Sequence, residues 1–392
     1  MDLLDRLSLA AEGARQEVAD ASDRPAGTAP CGAPSATRLA TFNVGGHAIP
    51  IYPAAGPGGR RFPLLKAMLT TVCERDCNYC SFRSQHDQRR VTFQPEEMAR
   101  AFDQALRGGF VQGLFLSSGI AGGGANTQER LIATAEILRR RYAFRGYLHL
   151  KIMPGAEREQ VLRAMRLASR VSINLEAPNA DRLPALAPSK SFDAELLPPL
   201  RWASEARSPG GPAPRLASSA TQFVVGAAGE SDLEILSTVQ HAYQQLGLAR
   251  AFFQSFDPVP DTPLESFPPE SPLRQNRLYE ASYLLRDYGF DLEDLPFAGG
   301  GNLPLDTDPK TAYAERALAQ QPVELNTADR ELLLRVPGLG PHAAQLILAA
   351  RREHQIHDLG QVRKLGILAE RAAPYITLMG QRPSRQLPLF RA

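Results

Sequence analysis

The sequence predicts an α/β fold followed by a small all-α unit. Three observations predict it. Between residues 62 and 255, short apolar runs alternate with longer stretches of helical periodicity. Repeated βα units of this kind pair into a parallel sheet. A Pro-rich stretch at 257–272 then breaks the pattern. Beyond about residue 323 only helical segments remain, joined by the glycine-bearing turn Val336-Pro337-Gly338-Leu339-Gly340.

Each element has a local reason. Leu3, Leu4, Leu7, Leu9 and Ala10 have helical spacing and predict a short amphipathic helix. Residues 24–30 are rich in Pro, Gly and Ala and read as disordered, and Cys31 beyond them reads as an exposed thiol. The whole of 1–59 therefore reads as a peripheral segment. Strands are expected at 64–70, 113–116, 147–152, 171–175, 220–225 and 251–255. Helices are expected at 95–106, 127–142, 156–169 and 231–246. The first helix opens on Pro95 and is followed by Gly108-Gly109, the usual asymmetry of helix ends. Residues 208–214 form a Pro/Gly-rich surface loop. The main α/β unit is expected over 60–260, and a connector over 261–322 carries a helix at 273–288 that stops at Gly289. Helices at 328–335, with Asn326 as its N-cap, and at 341–352 open the unit at 323–378. A degenerate second hairpin follows at 357–378, turning at Lys364-Leu365-Gly366. A tail spans 379–392.

The chain has 392 residues, 43% of them hydrophobic, ordinary for a globular protein with two or three domains. No apolar run reaches the length of a membrane span and no signal peptide opens the chain. Free thiols clustered in one loop argue for a reducing, cytoplasmic setting. The net charge is +2, yet residues 329–392 hold ten Arg/Lys against five Asp/Glu. A basic C-terminal unit suits a nucleic-acid partner.

Three of the four cysteines, Cys73, Cys77 and Cys80, lie at C-x3-C-x2-C spacing directly after the first strand. Thiolates gathered like this hold soft metals. A structural zinc site closes its shell with four protein ligands, which His86 would complete here. An iron–sulfur cluster has four iron corners, so three thiolates leave one open. A disulfide would strain the pairing and leave one cysteine over.

The stretch Cys73-Glu74-Arg75-Asp76-Cys77-Asn78-Tyr79-Cys80, with Tyr79 before the last cysteine, resembles the radical SAM superfamily. The resemblance implies a partial (β/α)6 barrel and a 4Fe-4S cluster on the three cysteines. It also implies S-adenosylmethionine (SAM) chelated at the open iron, cleaved by one electron to a 5′-deoxyadenosyl radical. An electron donor such as flavodoxin or ferredoxin belongs to that chemistry. Barrel active sites lie at the carboxyl ends of the strands. The candidate cofactor-binding residues there are Ser117, Ser118 and Gly119 after strand two, Asn174 and Glu176 after strand four, and Gln222 on strand five, with Tyr79 in the cysteine loop. Ser117-Ser118-Gly119 departs from the Gly-Gly-Glu usual in the family. Lys151 ends strand three, and Arg83, Arg89 and Arg90 follow the cysteines as candidate phosphate contacts. No cysteines remain for a second cluster.

The C-terminal turn resembles a helix-hairpin-helix motif. Its glycines let backbone amides approach a phosphate at the positive end of the second helix. Gly338, Gly340, His342 and Arg351 are the candidate DNA-binding residues. Such contacts hold the backbone and read no sequence. Strings such as Gly113-Leu114-Phe115-Leu116-Ser117-Ser118-Gly119 and Gly146-Tyr147-Leu148-His149-Leu150-Lys151 are similar to bacterial radical SAM proteins assigned to DNA modification or repair, over 62–378. The leading expectation is a DNA-acting radical SAM enzyme. Its rivals are an RNA-modifying radical enzyme and a zinc-stabilised DNA-binding adaptor without catalysis. In the tail, Gln386, Leu387, Leu389 and Phe390 resemble the short peptide by which bacterial repair proteins dock on the sliding clamp.

Overall fold

The computed structural model describes residues 3–14, 40–44, 47–55, 61–208 and 216–383. Cys31 and the clamp-like residues Gln386, Leu387, Leu389 and Phe390 lie outside them. In chain order the elements are α1 (Leu3–Gly13), β1 (Ala40–Val44), β2 (His47–Ala55), β3 (Arg61–Met68), α2 (Pro95–Arg107), β4 (Gly113–Ser117), α3 (Gly124–Arg140), β5 (Tyr147–Lys151), α4 (Arg158–Leu167) and β6 (Arg170–Ser172). Then come α5 (Leu183–Leu186), α6 (Leu197–Arg207), β7 (Ser218–Val225), α7 (Asp232–Gln245), β8 (Arg250–Ser255), α8 (Pro272–Asp287) and α9 (Pro309–Ala317). The last are β9 (Val323–Glu324), α10 (Arg330–Arg335), α11 (Pro341–Glu353), α12 (Leu359–Lys364), α13 (Ala369–Ala372) and β10 (Ile376–Thr377).

The chain forms two compact units, one of 1–230 with 241–271 and one of 231–240 with 272–392. The first unit is built on one eight-stranded sheet in the order β1 to β8. Strands β3 to β8 run parallel, each paired with the next. This is the expected partial (β/α)6 barrel. Its strands are near-continuous apolar runs because both faces are covered: every residue of β4 is buried, and so are the last five of β3.

The segment read as peripheral is part of that sheet. Strands β1 and β2 form an antiparallel hairpin that joins the β3 edge. Ile49, Ile51, Tyr52 and Ala54 of β2 are buried, as are Leu7, Ala10 and Ala11 of the expected amphipathic helix α1. The sequence hid the hairpin because Pro50 and Pro53 sit inside β2, and proline removes ladder donors. Strand β6 ends at Ser172, short of the expected 175, although its extension still tracks β7. The Glu176 amide donates to the Gln222 carbonyl, and Glu176 itself adopts φ +64°.

In the second unit the helices of residues 318–378 bury one apolar core, with Leu333, Val336, Leu339, Ala344, Ile347, Val362 and Ile376 almost fully covered. The second hairpin turns at Gly366, φ +77°, as its sequence suggests. Asp329, not Asn326, caps α10, its side chain accepting from the Leu332 amide. Asn326 instead bonds the Ile356 backbone on both its N–H and C=O sides. A carboxylate one residue before the helix outcompetes an amide already engaged.

Candidate active site and hairpin

A cavity opens at the carboxyl ends of the parallel strands. Its wall gathers Cys73, Cys77, Cys80 and Tyr79 from the loop after β3, and Ser118 and Gly119 from the end of β4. It also takes Asn174 and Glu176 from beyond β6, and Gln222 from β7. Nine of the ten expected cluster and cofactor residues thus share one cavity. Ser117 does not line it: the residue lies within β4, fully buried, in register with Met68.

Local backbone explains how the cysteine loop is held. The Gly119 amide donates to Thr70 O, and the Glu74 amide to Ile120 O. A Cβ on Gly119 would stand 2.3 Å from the Val72 carbonyl oxygen, so only glycine allows the two loops this close. The Glu74 carboxylate accepts from the amides of Gly122 and Gly123. Arg90 gathers the loop from its far end, donating to the carbonyls of Thr71, Phe82, Arg83 and His86. It is a fastener for this loop, not a phosphate contact.

The three sulfurs are free thiols. The Ile120 amide donates to Cys73 Sγ at 3.5 Å and the Phe82 amide to Cys80 Sγ at 3.4 Å. Burial pushes the Cys80 thiol up to about 12 and raises Cys77, where the Lys190 charge acts in the opposite sense. Buried thiols of this kind gain from cations that take the thiolate charge. Among the described residues no three His, Cys, Asp or Glu side chains converge on one ion position. His86 meets the Pro260 carbonyl at 3.1 Å. Three cysteine sulfurs on one cavity wall are the donor set a cluster takes, each thiolate binding a different iron.

Lys190 and Arg75 also line the cavity, and sequence reasoning missed both as site residues. Lys190 Nζ donates to Glu176 at 2.9 Å, an ion pair with side chains 8% and 5% exposed. Burial, then the Glu176 charge, pushes the Tyr79 phenol well above its ordinary value. Arg75 pairs with Glu195 and donates to the Ser189 carbonyl at 2.6 Å. No local pattern marks Lys190, since only the loop from α5 to α6 brings it here. Ser118 Oγ and Asn174 Oδ1 face this space buried and with no hydrogen-bond partner in the structure. A bound molecule with amino, carboxylate and hydroxyl groups would satisfy them, as SAM would.

In the second unit, Gly340 is the N-cap of α11 and no side chain caps that helix. Its first-turn amides lack intrahelical acceptors, the usual anion-binding arrangement. His342 is exposed beside them. Gly338 has φ +84°, and a Cβ there would approach Arg371 Cβ and the Leu368 carbonyl at 3.0 and 3.1 Å. Its glycine is therefore required by the turn and its packing alike. Arg351 is not poised for DNA. Its guanidinium donates to the carbonyls of Leu325 and Ala328, at 3.0 and 2.6 Å, fastening α11 to the chain before α10. Lys310 of α9 also escaped notice. Its ammonium lies 4.6 Å from the Tyr288 ring centre and donates to the Leu339 carbonyl of the hairpin turn.

Residues 68–242 match the radical SAM superfamily, and residues 318–377 match the helix-hairpin-helix motif. The chain carries a radical SAM domain with a helix-hairpin-helix domain at its C-terminus. Enzymes of that superfamily use a 4Fe-4S cluster and S-adenosylmethionine. No curated protein matches the chain in sequence. Among solved structures, methylornithine synthase (PylB) is similar at 17% identity and a TM-score of 0.44, over 57% of this chain and 62% of that one. The FeFe-hydrogenase maturase HydG from Carboxydothermus hydrogenoformans is similar at 15% identity and a TM-score of 0.46, over 57% and 51%. The chain thus spans between about half and three-fifths of the length of these two. Among the described residues no helix is long and apolar enough to cross a membrane.

Proposed function

We propose that this radical SAM enzyme acts on DNA, as a modification or repair enzyme. The observation that carries the reading is the coexistence, in one chain, of the cysteine cavity and an uncapped hairpin helix. Cys73, Cys77 and Cys80 would hold the cluster, and Ser118, Asn174, Glu176 and Gln222 would hold SAM. When bound, the pair supplies a 5′-deoxyadenosyl radical for hydrogen abstraction.

The chain's own residues set the conditions. Amides of Ile120 and Phe82 stabilise charge on two sulfurs. The Lys190–Glu176 pair fixes a carboxylate on the cavity wall, where one oxygen accepts from the ammonium. Apolar side chains, among them Met68, Ile152, Met153, Ile173 and Leu196, line the same cavity and limit water. The amides at Gly340 and the first turn of α11 engage a phosphate of the duplex backbone, with His342 beside them. A target base would leave the stack to reach a cavity of this kind. An electron donor such as flavodoxin or ferredoxin, and docking of Gln386, Leu387, Leu389 and Phe390 on the sliding clamp, complete the proposal. Clamp docking would raise the local concentration of DNA.

The test is anaerobic turnover of the reconstituted protein with SAM, a reductant, and damaged or undamaged DNA and RNA oligonucleotides. Mass spectrometry of the nucleosides reads the product. New nucleoside masses from DNA alone support the reading, from RNA alone transfer it to RNA, and from neither overturn it.

A further inference from the structure

Lys310, in the first turn of α9, ties that helix to the hairpin turn. It is half-buried, and among the described residues its ammonium makes one hydrogen bond, to the Leu339 carbonyl. Its remaining contact of note is the Tyr288 ring, whose centre lies at 4.6 Å. An ammonium has three donors to satisfy. One carbonyl and one ring face serve the charge poorly, so little separates the protonated form from the neutral one.

The carbonyl that Lys310 holds fixes the orientation of a peptide at the proposed phosphate position. No cis peptide occurs among the described residues, and in a trans peptide the C=O and the following N–H point in opposite directions. With the Leu339 oxygen turned to Lys310, the Gly340 N–H points away from that lysine, and it makes no hydrogen bond among the described residues. Gly340 is the N-cap of α11, whose first-turn amides also lack intrahelical acceptors. The Tyr288 hydroxyl lies against the same residue, 3.2 Å from where a Gly340 Cβ would stand. Lys310 therefore acts on the phosphate position through one polarised peptide. A proton on its Nζ draws electron density from the Leu339 oxygen and makes the Gly340 N–H a stronger donor.

The charged groups around Lys310 are already engaged. Asp308, the acid whose charge reaches it, accepts from the Thr311 amide and hydroxyl at 3.0 and 2.7 Å and from Arg371 at 2.9 Å. On α8, Glu280 pairs with Arg277 and Asp287, next to Tyr288, pairs with Arg286. His342 is the one titratable side chain of residues 336–344. Burial lowers the Lys310 pKa to about 7, with Asp308 opposing the shift and Arg371 adding to it.

We propose that Lys310 is a positioning residue for the phosphate held at the hairpin, and that binding of duplex DNA takes up a proton at this lysine. The inference deepens the DNA reading and rests on it. The neutral amine takes the proton from solvent, and no bond in the DNA changes. A phosphate anion on the Gly340 N–H favours the ammonium, so the lysine holds its proton more tightly in the complex than in the free protein. Above about 7 the complex then binds more protons than its separated parts, and affinity falls as pH rises through that window.

Calorimetry of the full-length, cluster-loaded protein with a short DNA duplex tests it, in two buffers of different ionisation enthalpy and without air. For a pKa that binding raises by about one unit, the native protein should take up about half a proton at pH 7.5, and its affinity should fall about fivefold from pH 7 to 9. Lys310→Met and Lys310→Arg should take up none, the former because nothing titrates there and the latter because a guanidinium stays charged throughout. Lys310→Arg should also bind equally at both ends of the pH range. His342→Asn should retain the uptake. A lysine that only fastens the turn leaves the native profile flat with no proton taken up, which overturns the proposal whatever the variants do. Uptake that persists in both Lys310 variants, or that His342→Asn abolishes, assigns the proton elsewhere and overturns it too. Where Lys310→Met loses helical circular dichroism, Lys310→Arg carries the comparison. Absence of duplex binding at every pH overturns the DNA reading and this inference with it, whereas binding without proton uptake overturns this inference alone.

Discussion

Individual side chains divide into those whose chemistry the sequence announces and those that only folding recruits. Cys73, Cys77 and Cys80 were legible because three thiols in one loop have few other uses. Changing any one to Ala should abolish both bound iron and 5′-deoxyadenosine formation, read by metal analysis and chromatography. Retained iron with stoichiometric SAM cleavage would refute the ligand set. Gly119 was legible as a glycine but not for its reason, the 2.3 Å approach of its missing Cβ to the Val72 carbonyl. Gly119→Ala should destabilise the chain by about 2 kcal/mol or more and lower cluster occupancy, measured by denaturation and iron content. Lys190 and Lys310 were illegible, since each gains meaning only from a loop far away in sequence. Burial lowers the Lys310 pKa to about 7, with Asp308 acting against it. The unfolded lysine titrates near 10.5, so between about 7 and 10.5 the unfolded chain binds more protons. Stability of the C-terminal unit should therefore rise with pH across that window, by of the order of 1–3 kcal/mol. Lys310→Met should flatten the rise; an unchanged slope in urea titrations at several pH values would refute this.

Elements were legible where burial on both sides wrote an apolar run, as in β3, β4 and β8. They were illegible where proline masked pairing, as in β2, where Pro50 faces Thr41 and Pro53 faces Pro63 across the ladder. Helix α1 was visible from its apolar stripe, but its anchorage was not. Arg6 pairs with Glu97 of α2 at 2.9 Å and lies 4.4 Å over the Phe93 ring. The Arg6 hydrogen bond holds the Glu97 carboxyl down at about 2. This acid's folded pKa lies below its unfolded value, so its contribution is present above about 4.5 and lost as pH falls towards 2. Glu97 is a third exposed, which limits the pair to about 1 kcal/mol or less. Arg6→Ala should leave the barrel folded while hydrogen exchange in α1 rises severalfold. Because Gly13 at the end of α1 lines the cavity, with Phe82 2.7 Å from where its Cβ would stand, the same variant should also loosen SAM binding.

At the scale of the whole chain, the proposed function puts catalysis and polynucleotide binding in different segments, and truncation can separate them. The border expected near residue 260 is not a clean one, because residues 231–240 at the start of α7 group with the C-terminal unit. Asp232 shows why. It is fully buried, accepts from Arg274 at 2.8 Å and from the Leu303 amide at 2.9 Å, and its own amide donates to Asn302. A chain ending at 271 removes all three partners and strands a buried carboxylate, which costs several kcal/mol. A chain ending at 308 keeps them and removes α9 with the hairpin core, to which Ala314 and Leu318 belong. The 1–308 protein should remain soluble, bind iron and form 5′-deoxyadenosine. Its affinity for duplex DNA should fall at least tenfold, and the salt dependence of the remaining binding should shallow as phosphate contacts are lost. The 1–271 protein should aggregate or unfold. If 1–308 binds duplex DNA as the full chain does, the hairpin is not the DNA-binding element. If 1–271 is as stable as 1–308, Asp232 does not tie the start of α7 to the segment beyond 272.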